Sequence, residues 1–238
     1  MLRFTQCLVA SCVLAGLSYG SAAAQEPPNG DFEDGVLEPW QFLGEVGVSE
    51  ENVLEGAQSG FLSTGGNAVG EVCSYLISPF VFPPSDRARV KVAFKVRYKT
   101  NELDPFFEDP FHAELVTAKG SVDLLTIKRD GLFWTKGDPT NTRVRDEAAG
   151  QRFRSPPQLP PFEEGLGDFV SETPILSVRS KMRLKGCEPV RIKFQICDWL
   201  DPGVDSAAFL DEVTIDFEER GDYCSDDWTE SEEWPEHK

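Results

Sequence analysis

From residue 87 to residue 99 the chain alternates without a break. Ala88, Val90, Val92, Phe94, Val96 and Tyr98 fall on one side; Arg87, Arg89, Lys91, Ala93, Lys95, Arg97 and Lys99 fall on the other. Side chains along a strand point to opposite faces in turn, so a run of period two this long fits a half-buried β-strand and no helix. Val190, Ile192, Phe194 and Ile196 alternate with Arg191, Lys193 and Gln195 in the same way, as do Leu176, Val178, Met182 and Leu184 with Arg179, Lys181, Arg183 and Lys185. Residues 72–77, 113–117, 122–127 and 209–217 are further expected strands. Between them lie turn pairs: Ser78-Pro79, Pro83-Pro84, Asp104-Pro105, Asp109-Pro110, Lys119-Gly120, Asp130-Gly131 and Asp201-Pro202-Gly203. Many short strands with Gly/Pro turns predict an all-β sandwich of two antiparallel sheets.

The ends of the chain read differently. Arg3, an apolar stretch from about 7 to 17 and the small residues Ala22-Ala23-Ala24 have the order of a secretory signal peptide, which predicts cleavage after residue 24. No later segment approaches the ~20 apolar residues of a membrane span. The sandwich is expected over 25–217, interrupted by a loop insertion at about 137–167 that carries Pro156, Pro157, Pro160 and Pro161, with a short helical turn near 145–152. Residues 218–238 hold nine acidic and two basic side chains and read as a mobile acidic tail. Beyond residue 24 there remain 22 basic and 41 acidic residues, a formal charge of −19, which argues against nucleic acid and anionic membranes as partners. Four cysteines remain there too: Cys73, Cys187, Cys197 and Cys224. An even number in an exported chain predicts two disulfides in a secreted, extracellular or periplasmic protein. Cys187 and Cys197 flank one expected strand, so their Cα atoms would lie ~30 Å apart, too far to bridge. Cys73 with Cys187 or with Cys197 stays open, Cys224 taking the other.

Two short segments bracket the sandwich: Asn29-Gly-Asp-Phe-Glu-Asp-Gly35, with Trp40 shortly after, and Phe209-Leu-Asp-Glu-Val-Thr-Ile215. This pair resembles the jelly-roll domains of the galactose-binding-like group, which includes many carbohydrate-binding modules. Thr100-Asn101-Glu102, together with the spaced aspartates that precede Leu210-Asp-Glu-Val213, is similar to exported bacterial β-sandwich surface proteins. The resemblance implies a jelly roll whose first and last segments lie side by side, Trp40 in the core, and a structural calcium shared by Glu33 and Asp211.

The residues themselves point to calcium in the same region. Asp198, Asp201, Asp205 and Asp211 crowd a loop between two expected strands, and Glu102 ends another; closely set hard oxygens suit calcium, which takes six to eight. The metal-ligating set expected here is therefore Glu33, Glu102, Asp198, Asp201, Asp205 and Asp211. For a ligand the candidates are the aromatic side chains Trp134, Phe106 and Phe107, on which a sugar ring can stack, and the basic strand faces. Of the 22 basic residues beyond residue 24, 12 are assigned to outward faces, Arg89, Arg97 and Lys99 among them. If their strands share a sheet, an acidic protein presents a basic groove that suits an acidic polysaccharide, with Arg forks on carboxylates or sulfates. His112 and His237 are the only histidines, and no nucleophile elbow, zinc motif or phosphate loop occurs. The expectation is a secreted, non-catalytic module that binds a polysaccharide or surface glycan; the alternative is a structural or adhesive protein–protein module of the cell surface or matrix.

Overall fold

The computed structural model describes residues 27–65, 72–101, 109–128, 131–133, 141–153, 163–164, 169, 171–198, 205–218 and 224. Their strands, in chain order, are β1 (Gln41–Leu43), β2 (Glu45–Ser49), β3 (Ser59–Ser63), β4 (Val72–Ile77), β5 (Arg89–Thr100), β6 (Phe111–Thr117), β7 (Gly120–Lys128) and β8 (Gly131–Phe133), then β9 (Arg143–Asp146), β10 (Glu163–Glu164), β11 (Ser171–Glu172), β12 (Leu176–Arg183), β13 (Val190–Asp198) and β14 (Ser206–Glu218). One sheet has six strands in the order β1-β4-β13-β6-β7-β8. The other has eight, β10-β11-β5-β14-β3-β2, with β12 beside β5 and β9 beside β12. Neighbours are antiparallel throughout. The chain passes repeatedly from one sheet to the other, so the protein is a β-sandwich of jelly-roll type.

Alternation decides what lies between the sheets. Val90, Val92, Phe94, Val96 and Tyr98 of β5 face Val190, Ile192, Phe194 and Ile196 of β13 in one continuous core. Phe94 and Phe194 meet edge to face across the gap, 5.1 Å between ring centres. Trp40 closes the same cluster, 5.4 Å from Phe32 and 6.3 Å from Phe194, and its indole N–H donates to the Pro28 carbonyl at 3.0 Å. Burying aromatic and aliphatic side chains of this size contributes about 1.5–3 kcal/mol each.

The opening motif works through its backbone. Asn29 takes φ 56°, a left-handed conformation that Asn tolerates better than most residues, and its amide donates to the carbonyls of Val36 and Glu38. That turn lays Gly30 against the closing strand: the Val213 N–H donates to the Gly30 carbonyl at 2.9 Å. Phe32 then sits over Gly60, where an added Cβ would lie 2.9 Å from its ring. The first and last segments are side by side, as the resemblance implies.

Three findings depart from the expectations. Strands β1, β2 and β3 were not expected; Gly44, Gly47 and Gly60 break their patterns, and Gly47 is a glycine because the Phe61 ring occupies the place of a Cβ. The segment 137–167 is not wholly loop. β9 pairs with the edge of β12, burying Val144 and Asp146 and exposing Arg143 and Arg145, and the expected helical turn is a reversal in which Arg145 bridges Arg152. Four prolines mask a short period-two pattern there. β14 also runs through Glu218, one residue into the expected tail.

Cys73 pairs with Cys197, its direct register partner on β13, and Cys187 pairs with Cys224; their Cα separations are 4.0 and 5.5 Å. This is one of the two connectivities that the sequence leaves open. Among the described residues no helix is long and apolar enough to cross a membrane.

Candidate functional site

The expected metal ligands fall in two places. Asp211 lies on the outer face of the eight-stranded sheet, beneath residues 55–59. Its Oδ2 accepts from the Glu55 N–H (3.0 Å) and the Ser59 hydroxyl (2.8 Å), and its Oδ1 accepts from the Glu212 N–H (2.7 Å). Glu33 Oε1 accepts from the N–H groups of Ala57 and Gln58 in the same segment. The two carboxylates thus share one loop, where backbone N–H groups and the Ser59 hydroxyl donate to them. Burial pushes the Asp211 carboxyl up, and these hydrogen bonds pull it part of the way back. Asp205 lies elsewhere. It precedes β14, six residues or ~20 Å of strand away, and its carboxyl carbon and a Glu45 oxygen both lie against Gly65. Asp198 is buried at the adjacent end of β13. Glu102 and Asp201 lie outside the described residues, as do Phe106, Phe107 and Trp134.

The basic strands are split between the sheets. β5 and β12 are partners, but β13 belongs to the other sheet, because its apolar side must meet β5 across the core. On the eight-stranded face most of the central cations are matched. Glu218 takes Arg89 (3.4 Å), Lys91 (2.7 Å) and Lys181 (3.7 Å), while Lys95 meets Glu55 (2.6 Å) and Glu212 (3.1 Å). Lys99, 4% exposed, lies 3.0 Å from a Glu172 oxygen, donates to Asn52 at 2.7 Å and lies over the Phe209 ring. The Glu172 oxygen is otherwise without a hydrogen bond of good geometry. Arg97 is half-buried opposite Phe209. A cavity of about 740 Å³ on this face is lined by Lys91, Arg179 and Lys181, but equally by Asp31, Glu212 and Asp216. Opposed charges of equal number make this cavity neutral, whereas a second one of about 750 Å³ at the end of β5 and β12 is lined by Arg87, Arg89, Arg183 and Lys185 with Asp86.

The outer face of the six-stranded sheet is different. Register carries one row across it: Leu43 beside Tyr75, Tyr75 beside Gln195, Gln195 beside His112, His112 beside Thr126, Thr126 beside Phe133. Leu43 is 64% exposed, whereas Tyr75, Gln195, His112, Thr126 and Phe133 are half-buried. Next to this row on β13 stand Lys193 and Arg191. Lys193 Nζ lies 4.6 Å from the Tyr75 ring centre, and the Arg191 guanidinium lies 4.7 Å from that of Phe80. Neither has a carboxylate within ion-pair distance among the described residues, and Arg191 Nε is buried without a hydrogen-bond partner. Burial pulls both cations below their ordinary values. Burial also pulls His112 down, so its ring is neutral near pH 7; its Nδ1 is 3.0 Å from the Thr126 hydroxyl. The Cys73–Cys197 bridge ties β4 to β13 beside Gln195, whose amide lies 2.6 Å from Cys197 Sγ. The result is a half-dry strip of rings, amide, imidazole and hydroxyl, with Arg191 and Lys193 at one side and Lys128 over Phe133 at its end. It can stack an apolar ring face and hydrogen-bond hydroxyl groups around it.

Sequence reasoning missed Tyr75, Phe80, His112, Thr126 and Gln195. The signal was the pairing of Cys73 with Cys197: a bridge between direct partners fixes the register, and Tyr75 then stands opposite Gln195.

No family model matches the chain, and no curated protein matches it. Among solved structures it is similar to the K3 cleaved adhesin domain of Lys-gingipain from Porphyromonas gingivalis (14% identity, 78% of this chain and 96% of that one, TM-score 0.42). It is also similar to a CBM22-1 xylan-binding domain from Paenibacillus barcinonensis (12% identity, 79% and 90%, TM-score 0.33). A third likeness is to an endo-β-1,4-glucuronan lyase from the fungus Trichoderma reesei (11% identity, 79% and 93%, TM-score 0.35). The carbohydrate-binding and adhesin domains among them are of the kinds that the bracketing motifs resemble. At TM-scores below 0.5 none of them bears on function, which rests on the residues of the face.

Proposed function

We propose that this chain is an exported, non-catalytic binding module that takes a glycan on the outer face of its six-stranded sheet. The observation that carries the reading is the row from Tyr75 to Phe133: aromatic and hydrogen-bonding side chains alternate across the sheet, half-buried and in register, with the exposed Leu43 at its edge. Two disulfides support an extracytoplasmic setting. The test is affinity electrophoresis against neutral and acidic soluble polysaccharides. The parent protein is expected to be retarded by at least one, Tyr75→Ala and Gln195→Ala to lose most of that retardation, and the polymer to be recovered at its original length. Shortened polymer would overturn the non-catalytic part; no retardation by any polymer would overturn the glycan part.

Phe42, 55% exposed, and Leu43 lie on the short edge strand β1. They favour the second reading, an adhesive protein-binding module. If Phe42→Ser abolishes attachment to a cell surface while glycan retardation is nil, that reading takes precedence.

Calcium is proposed at the end of the sandwich where β14 begins, where Glu45 and Asp205 converge on Gly65 and the chain leads into the segments holding Glu102 and Asp201. Metal that binds the folded state alone raises the melting temperature. Millimolar calcium is expected to melt the parent several degrees above the chelated protein, and Asp205→Ala to erase the difference. Equal melting curves with calcium and chelator would remove the site.

A further inference from the structure

We infer that the outer face of the six-stranded sheet selects glycans that carry carboxylates, which Arg191 and Lys193 read. The inference deepens the binding face proposed above and rests on it. Three observations carry it. The first is the contrast between the two sheets. Arg89, Lys91, Lys95, Lys99 and Lys181 on the eight-stranded face all have a carboxylate within 4 Å. Arg191 and Lys193, equally part of a strand, have none among the described residues, and Arg191 Nε is buried without a hydrogen bond, as Arg97 Nε is on the other face; Arg191 and Lys193 differ from Arg97 in standing together beside the row of rings. A half-buried cation with no carboxylate in contact has lost hydration and has only a cation–π contact in return. An arriving carboxylate would supply charge-assisted hydrogen bonds, about twice as strong as those of a neutral hydroxyl.

The second observation is position. Arg191 and Lys193 are two residues apart on the central strand, so they point the same way at a spacing of ~7 Å. Phe80 and Tyr75 hold them by cation–π contact, which restrains their heads without using up their hydrogen donors. A sugar ring on Tyr75 would place its substituents beside Lys193.

The third is the placement of negative charge. Glu114 is the register partner of Lys193 on β6, and Asp123 is the partner of Glu114 on β7. Positive charge on the face is therefore divided, Arg191 and Lys193 on β13 and Lys128 on β7 over the Phe133 ring, and a densely charged polyanion lying across all the strands would also meet Glu114 and Asp123. Against the chain's formal net charge of −18, the local field at Arg191 and Lys193 is what a carboxylate would encounter on contact. These features favour a uronic-acid polymer with spaced carboxylates over a sulfated one.

The test is titration calorimetry of the whole chain with a soluble polyuronate, with the same polymer after reduction of its carboxyl groups to alcohols, and with a sulfated glycan. The polyuronate is expected to bind at least ten-fold tighter than the reduced polymer. Arg191→Gln with Lys193→Gln is expected to remove that advantage, at an unchanged melting temperature, while leaving the weaker affinity for the reduced polymer as it was. Lys193→Arg alone should retain it. Tyr75→Ala should weaken both polymers together. Equal affinity of the parent for the two polymers, or a polyuronate affinity unmoved in the double variant, would overturn the inference and leave the glycan face standing. Tighter binding of the sulfated glycan would overturn the choice of carboxylate. If none of the three binds, the face and its selectivity fall together.

Discussion

Lys99 and Lys193 both stand at polar positions of alternating strands, and the fold treats them in opposite ways. Lys99 is enclosed, with Glu172, Asn52 and the Phe209 ring around it. Removing one member of a buried pair leaves the other charge unmatched, so Lys99→Ala is expected to lower the unfolding free energy by about 3–5 kcal/mol. Lys99→Met with Glu172→Leu should recover most of the loss, as read in denaturant titrations. Lys193 is expected to change binding and not stability. His112 makes a second prediction at this scale. Its folded-state pKa lies below the 6.5 of the free side chain because burial disfavours the imidazolium. The unfolded chain therefore takes up the proton first, and the stability this group contributes is full above 6.5 and is lost as pH falls through the folded value. The melting temperature should fall from about pH 7.5 to about pH 5, and His112→Gln should flatten part of that fall. A variant whose melting temperature falls as steeply as the parent's would contradict this assignment.

At the scale of the element, β14 shows what a single extra residue does. A bulge between Asp211 and Thr214, with Glu212 at φ 47°, keeps Leu210, Val213 and Ile215 pointing inward while Asp211 stays outward under residues 55–59. Asp211→Ala leaves the Glu55 N–H and the Ser59 hydroxyl without their acceptor and is expected to cost about 2–3 kcal/mol; Ser59→Ala should cost about 1 kcal/mol. Chemical denaturation of both variants checks the order. The Cys73–Cys197 bridge spans 124 residues of chain, so replacing both cysteines by serine should cost about 2–5 kcal/mol, with glycan retardation weakened through loss of the β4–β13 register. The long alternating strands β5, β12 and β13 were legible in sequence, since burying one face of a sheet forces a period of two. Their grouping was not. Alternation says which side chains of a strand share a face but not which sheet the strand joins, and so Arg191 and Lys193 were grouped with the cations of β5 and β12. The glycine-broken β1 to β3 and the proline-flanked β9 gave too few alternating residues to stand out. Tyr75 was visible as a residue but not as part of a site, because its partners come from strands distant in sequence.

For the molecule as a whole, the division of charge is the organising fact. An acidic chain places cations on both outer faces, neutralises several at the centre of one with Glu218, Glu55, Glu212 and Glu172, and on the other sets Arg191 and Lys193, without a carboxylate in contact among the described residues, beside a row of rings and hydrogen-bonding groups. The first face holds the sandwich to its own loops and closing strand, and the second faces outward with its needs unmet. Chemical-shift mapping of the isotope-labelled protein during titration with a soluble polyuronate tests this division directly. The amides expected to move are those of 75, 112, 126, 191, 193 and 195, with those of 91, 95, 99 and 181 unmoved; movement centred on the second group, with the first unmoved, would contradict the account.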